Sequence, residues 1–170
     1  MNKMFKGTEM AANVAIILVG IMLGVVLVKN NLFQSPPAMA APPTAIAPGT
    51  KLSLPGVDWK ANERTLVLAL SSGCRFCTES GPFYQRLVRE RANFPRIRLV
   101  AVFPEPVEVA QKYLSDLGVA VDEVRQARLD SIGVAGTPTL IFADANGAVA
   151  ASWRGKLPAE KENELLARLK

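Results

Sequence analysis

The sequence predicts an α/β fold with a central mixed sheet flanked by helices, preceded by a separate apolar helix long enough to span a membrane. Three observations carry this reading. From Arg64 onward, apolar runs of strand length alternate with segments of helical period, the pattern of a sheet covered by its own crossover helices. The last two strand runs are joined by a tight turn, which makes the sheet mixed rather than wholly parallel. Ahead of Lys51 there is no core-building pattern except one apolar run, Ala11 to Val28.

Taken in chain order, residues 1–10 form a short polar N-terminus. Residues 11–28 are apolar apart from Asn13, and at about 1.5 Å per residue they cross most of a bilayer. Lys3 and Lys6 precede this run and only Lys29 follows it closely. That bias places the N-terminus in the cytoplasm and everything after the helix outside, as a single-pass protein of the inner membrane with its C-terminal domain in the periplasm. A cleaved signal peptide is the rival, because Ala38-Met39-Ala40 resembles a cleavage site. The site lies far beyond Val28 and the apolar run is longer than a signal core, so an uncleaved anchor is preferred. Gly20 and Gly24 form a G-x-x-x-G pair, a weak hint of helix pairing. Residues 29–50, with Pro36-Pro37, Pro42-Pro43 and Pro48, read as an extended tether.

Residues 51–170 are the right length for one domain. Arg64–Leu70 reads as a buried strand, and Arg75–Asn93 as a helix kinked near Gly81-Pro82. Ile97–Phe103 is a second buried strand, and Val107–Leu117 a helix stopped by Gly118. Thr139–Phe142 and Ala148–Arg154 flank the turn Asp144-Ala145-Asn146-Gly147. Lys156–Lys170 closes the chain as an amphipathic helix with Leu165, Leu166 and Leu169 inward.

Composition excludes some functions. The formal charge is +5, but the cluster Arg86, Arg89, Arg91, Arg96 and Arg98 has no interleaved aromatic residues on which bases could stack. It reads as a solvated helix face, and no nucleic-acid partner is expected. Trp59 and Trp153 read as packing residues. The chain has two cysteines and no histidine, too few ligands for a self-contained zinc site.

Those two cysteines lie in Cys74-Arg75-Phe76-Cys77, directly after the first buried strand. A structural disulfide closing so short a loop would stabilise little. A helix beginning at the motif would turn its first amides toward the Cys74 sulfur, and Arg75 would add a positive charge, both favouring the reactive thiolate. Two thiols so spaced and so placed point to reversible disulfide chemistry. A Cu(I) ion held by both sulfurs is the non-enzymatic alternative. The stretch Gly136-Thr137-Pro138-Thr139 stands just ahead of a strand, where the proline could be cis in a tight bend or trans at an edge.

In its order of strand, C-x-x-C, helix, strand, helix, T-P before a strand, hairpin and final helix, the segment from Lys51 to Lys170 resembles the thioredoxin superfamily. Within it the chain is most similar to the membrane-anchored, extracytoplasmic TlpA/ResA group of thiol–disulfide oxidoreductases. The matches are the N-terminal apolar helix, Pro82 after Cys77, the extra segment Pro104–Asp130, and Asp144, Gly147 and Trp153-Arg154-Gly155. The departures are Gly73 where the family has Trp, Phe76 where it often has Pro, Leu68 where a thioredoxin has a buried Asp, and Ser80 where the group often has Glu. Glu79 stands one residue early, a rotation of about 100° on a helix.

The resemblance implies that Cys74 is the nucleophile and Cys77 the resolving thiol. It implies a cis Pro138 beside them, with Thr137 aligning the substrate backbone and Phe76 and Arg75 shaping the contact surface. The disulfide itself carries the electrons, so no organic cofactor and no metal is implied. The partners implied are proteins bearing disulfides and a membrane-embedded electron donor. The favoured direction is reductive, of the kind that matures cytochrome c or a metalloenzyme. A thiolate stabilised by Arg75 would push toward the opposite role, a disulfide-forming oxidant.

Overall fold

The computed structural model describes residues 17–22 and 46–170. Residues 17–22 are helical and belong to a unit separate from the globular one. The expected spanning run 11–28 and the tether therefore lie mostly outside the described residues. Among the described residues no helix is long and apolar enough to cross a membrane.

Five strands form one sheet in the order β3-β2-β1-β4-β5. They are β1 (Arg64–Ala69), β2 (Ile97–Phe103), β3 (Glu123–Gln126), β4 (Thr139–Asp144) and β5 (Val149–Arg154). The pairs β1–β2 and β2–β3 are parallel, whereas β1–β4 and β4–β5 are antiparallel. The mixed sheet follows from the connections. The two crossovers that leave β1 and β2 each contain helix, and the β4–β5 join is the short turn at Asp144, whose carboxylate accepts the amides of Asn146 and Ala148. Gly147 closes that turn at φ +74, where a Cβ would come within 3.0 Å of the Trp59 ring.

The central strands are apolar over residues 66–69, 99–103 and 140–143 because both faces are buried there. Along β1, Leu66 and Leu68 face one core cluster while Val67 and Ala69 face the other, the period of two that a strand imposes. One face is covered by α2 (Gly81–Arg91), α3 (Val107–Asp116) and α4 (Ala159–Ala167), which contribute Tyr84, Leu87, Leu114, Leu165 and Leu166. Two successive crossovers of the same hand put α2 and α3 on that side. Among the described residues the other face is covered by Ile46, Leu52, Leu54 and Val57 from the incoming chain and Ile132 and Val134 from the loop before β4. Each fully buried aliphatic side chain here contributes about 1.5–3 kcal/mol.

Several expectations are met at residue level. The helix after the motif breaks at Ser80 into α1 (Arg75–Glu79) and α2, with Pro82 in the first turn of the second piece. Gly118 takes φ +65 and ends α3, its amide bonded to the Ser115 carbonyl at 2.9 Å. Leu165, Leu166 and Leu169 are buried, and Trp153 is 6% exposed in the core. The basic cluster is dispersed into separate interactions. Arg86 reaches Glu162, Arg91 pairs with Asp122, Arg96 with Glu63 and Arg98 with Glu123.

Two features differ from the sequence reading. Strand β3 lies inside the segment Pro104–Asp130, where no strand was expected. Its residues are Glu-Val-Arg-Gln, half-buried at the sheet edge, so no apolar run announces it. The ordered domain also starts before Lys51. Ile46 is 7% exposed, its amide donates to Ser152 Oγ at 2.8 Å, and that hydroxyl donates back to the Ile46 carbonyl at 2.8 Å. The stretch 46–50 is thus part of the fold rather than of the tether.

Tyr84 is fully buried and its hydroxyl has no hydrogen-bond partner among the described residues. Burial pushes its ionisation far above the ordinary tyrosine value. Tyr84→Phe should therefore leave stability unchanged or raise it by up to about 1 kcal/mol, since an unpaired buried polar group is a cost. Urea unfolding would show this, and a loss of stability would mean that the hydroxyl is bonded.

Candidate functional site

Cys74 sits at the seam between β1 and α1. The strand ends at Ala69, the chain turns through Ser71-Ser72-Gly73, and Cys74 becomes the N-cap of α1 with extended backbone. Its sulfur accepts the Cys77 amide at 3.3 Å. Its own amide donates to the Ser71 carbonyl at 3.1 Å. The cap that serine or aspartate supplies at most helix starts is here a sulfur. Both cysteines are present as free thiols, Cys74 partly exposed and Cys77 buried.

The segment ahead of β4 comes directly alongside. The Thr137–Pro138 peptide bond is cis and Pro138 is buried. The Cys74 thiol donates to the Thr137 carbonyl at 3.3 Å. The Pro138 carbonyl is taken by the Gly155 amide at 2.7 Å, and Thr139 Oγ1 bonds the Gly136 carbonyl at 2.6 Å. Cys74, Cys77, Thr137 and Pro138 are therefore brought together, although the last two lie far along the chain.

The two thiols differ electrostatically. Burial raises the Cys74 ionisation, but hydrogen bonds from the Cys77 and Thr137 side chains and from the Cys77 and Phe76 backbone outweigh it, and the thiol lies below its ordinary value. Burial, and then the hydrogen bond with Cys74, push Cys77 up to about 12. One sulfur is partly exposed and readily ionised, the other buried and held protonated. That asymmetry separates an attacking from a resolving thiol.

Arg75 and Phe76 do not touch the sulfur through their side chains. The Arg75 side chain is 85% exposed and turns back along the helix to Glu79, Nε to Oε1 at 2.6 Å. Glu79 also receives Lys156 at 2.9 Å. These bonds, Lys156 first and Arg75 second, hold its carboxyl below the ordinary range. The expected support of the Cys74 thiolate by Arg75 is thereby corrected: the guanidinium is neutralised by Glu79, and local hydrogen bonds stabilise the thiolate instead. Phe76 is 55% exposed, and with Val109 it is the most exposed large apolar side chain of residues 46–170. No carboxylate lies at the two expected positions. Leu68 is fully buried in the core, and Ser80 bonds the Phe76 carbonyl at 2.8 Å.

The sequence reading missed one carboxylate at the site. Glu105, just past β2, accepts three hydrogen bonds on Oε1, from Ser71 Oγ at 2.7 Å, the Ser72 amide at 3.0 Å and Ser72 Oγ at 3.0 Å. A signal existed. β1 and β2 are parallel neighbours, so whatever follows β2 emerges beside whatever follows β1, and a glutamate fixed between Pro104 and Pro106 stands there. Beyond it, Tyr113 packs edge-on to Phe103 and its hydroxyl lies 3.0 Å from Thr78 Oγ1. Among the described residues no cluster of side chains could hold a metal ion.

Comparison with known proteins agrees with this geometry. The model of the thioredoxin-like domain family matches residues 59–170. Among solved structures, the chain is similar to a protein named as the thiol:disulfide interchange protein DsbE of Chlorobium tepidum. The two are 25% identical over 66% of this chain and 84% of that one, with a TM-score of 0.54. The thioredoxin domain of a Bacteroides vulgatus thiol-disulfide oxidoreductase shares the fold at 18% identity and a TM-score of 0.55, over 74% of this chain and 99% of that one. A thiol:disulfide interchange protein from Bacteroides sp. also shares it, at 19% identity and a TM-score of 0.55, over 74% and 91% of the two chains. No curated protein sequence matches this chain.

Proposed function

The chain belongs to the thioredoxin-like domain family, and from that premise we propose that it is a thiol–disulfide oxidoreductase that reduces disulfides in other proteins through Cys74 and Cys77. The observation that carries the reading is the asymmetry of the two thiols: Cys74 is partly exposed, accepts the Cys77 amide and lies below its ordinary value, whereas Cys77 is buried and pushed up to about 12.

The steps follow from that asymmetry. The Cys74 thiolate attacks one sulfur of a substrate disulfide, forming a Cys74–substrate disulfide and expelling the other substrate sulfur as a thiolate. Forming that bond removes the negative charge beside Cys77, which is one of the causes holding its proton. The Cys77 proton is then lost to solvent, and the Cys77 sulfur attacks Cys74 Sγ. The Cys74–Cys77 disulfide forms and the second substrate thiolate leaves, taking a proton from solvent. Two electrons have passed from the dithiol to the substrate, and no organic cofactor is required.

Thr137 and Pro138 line the sulfur, and the Thr137 backbone ahead of β4 is where an extended substrate segment would align. Phe76, exposed one residue before Cys77, offers apolar contact. In the reading proposed here the electron donor is membrane-embedded and the domain works in the periplasm, on an anchor formed by residues 11–28. The run Ala11–Val28 and its flanking lysines support that placement. The reductive direction rests on the resemblance to the TlpA/ResA group, whereas the lowered Cys74 ionisation by itself favours an oxidant.

Reduction of insulin disulfides tests the reading. The reduced protein should precipitate insulin B chain catalytically when dithiothreitol supplies electrons, and Cys74→Ser should remove the effect. Tight anaerobic binding of Cu(I) by the dithiol with no insulin reduction would instead favour a metal-handling protein.

A further inference from the structure

We propose that Glu105 is the positioning residue of the nucleophile, gripping the Ser71-Ser72-Gly73 loop so that Cys74 stays in register with the Cys77 amide and the Thr137 carbonyl. The proposal deepens the function proposed above and rests on it. Its basis is geometric.

The loop ahead of Cys74 has no secondary structure of its own. Its outward anchors are the three hydrogen bonds to one oxygen of Glu105. Ser71 in turn accepts the Cys74 amide through its carbonyl, and the Ser71 backbone also reaches the Cys77 thiol. The grip is thus two bonds removed from the attacking sulfur. The carboxylate is itself held from behind. Pro104 and Pro106 on either side restrict its backbone, the Pro104 carbonyl accepts Gln126 Nε2 at 3.2 Å, and Phe103 is fully buried in the core. Strand pairing carries the same register, Ala69 lying opposite Val102 and the Leu70 amide bonding the Val102 carbonyl at 2.9 Å.

The second oxygen, Oε2, is buried with no partner among the described residues. A carboxylate oxygen left so is a cost to stability, which is understandable if the residue is kept for what Oε1 holds. One acceptor oxygen that receives three donors fixes the loop by geometry, which an amide oxygen at the same place can reproduce in part.

The experiment uses the full-length reduced protein and follows alkylation of Cys74 by iodoacetamide against pH, with the modified peptide identified by mass. In Glu105→Ala the thiol midpoint should rise toward the ordinary value of about 8.5, and labelling at pH 7 should slow about three- to tenfold, the factor that loss of one sulfur hydrogen bond gives. Glu105→Gln keeps an acceptor oxygen and should stay within about twofold of the parent, since the amide still receives the Ser72 N–H. Should Glu105→Ala fail to fold, the double variant Ser71→Ala, Ser72→Ala should show the same upward shift.

A role in stability alone would lower the unfolding midpoint and leave the thiol titration unmoved, and that result would overturn the proposal. So would Glu105→Gln slowing as far as Glu105→Ala, because charge rather than grip would then be at work. A parent Cys74 that titrates at the ordinary value would instead defeat the exchange reading itself.

Discussion

Cys77→Ser should trap the protein in covalent complexes with its substrates, whereas Cys74→Ser should trap none and lose exchange activity by at least about three orders of magnitude, the scale on which removing a nucleophile acts. The structure dictates the asymmetry. Cys74 Sγ is partly exposed, capped by the Cys77 amide, and ionises below the ordinary thiol value, so it can still attack when Cys77 is gone. Without a second sulfur, the resulting mixed disulfide has no internal route to resolve. Cys77 is fully buried and holds its proton until about pH 12, so alone it is neither accessible nor ionised. The pH dependence should follow. Alkylation of the parent should rise with pH up to the depressed Cys74 value and then level, with Cys77 unlabelled throughout the neutral range. Non-reducing electrophoresis of the two variants after incubation with disulfide-bearing proteins checks the prediction, and equal trapping by both would reverse the assignment of roles.

A chain beginning at Lys51 should be less stable than one beginning at Ile46 by about 2–4 kcal/mol. Burial of Ile46 alone accounts for about 1.5–3 kcal/mol. The bonds lost with the segment add to it: the reciprocal pair between Ile46 and Ser152, the Gly49 amide to the Val149 carbonyl at 2.8 Å, and the Val149 amide to the Thr50 carbonyl at 2.8 Å. Each of these four contributes about 0.5–1.5 kcal/mol net, and the backbone entropy of ordering five residues, about 1 kcal/mol each, offsets much of the sum. The shorter chain would also uncover Val149, and Lys51 would keep only its bridge to Ala148. Urea midpoints of the two chains measure the difference. Equal midpoints would mean that the stretch from Ile46 to Thr50 lies on the sheet without holding it.

How far the fold was legible depends on how each element is buried. Strands β1, β2 and β4 are covered on both faces and so carry apolar runs over residues 66–69, 99–103 and 140–143. Gly118, Pro82 and the Asp144–Gly147 turn mark their boundaries through backbone chemistry, which is local and therefore readable. β3 pairs on one side only, with half its surface in water, and its Glu-Val-Arg-Gln carries no period that a reader could count. Ile46 is a single apolar residue among alanines and prolines, indistinguishable in sequence from tether until the sheet it covers is in place.

The site divides the same way. Cys74 and Cys77 are adjacent on one turn, and their spacing alone advertises their chemistry. Thr137 and Pro138 were reached through resemblance, since nothing local brings them to the sulfur. Arg75 misled because adjacency in sequence is not adjacency in space: on a helix its partner is four residues on, and Glu79 is there to take it. Glu105 was missed for the opposite reason. Its relation to Ser71 and Ser72 exists only once β1 and β2 are aligned side by side, and register is a property of the folded sheet.

The direction of electron flow is best decided by the reduction potential of the Cys74–Cys77 pair, measured on the full chain by equilibration with glutathione and mass analysis of the alkylated forms. A reductase predicts a value near that of thioredoxin, about −270 mV, and a value above about −180 mV would mark an oxidant and contradict the account.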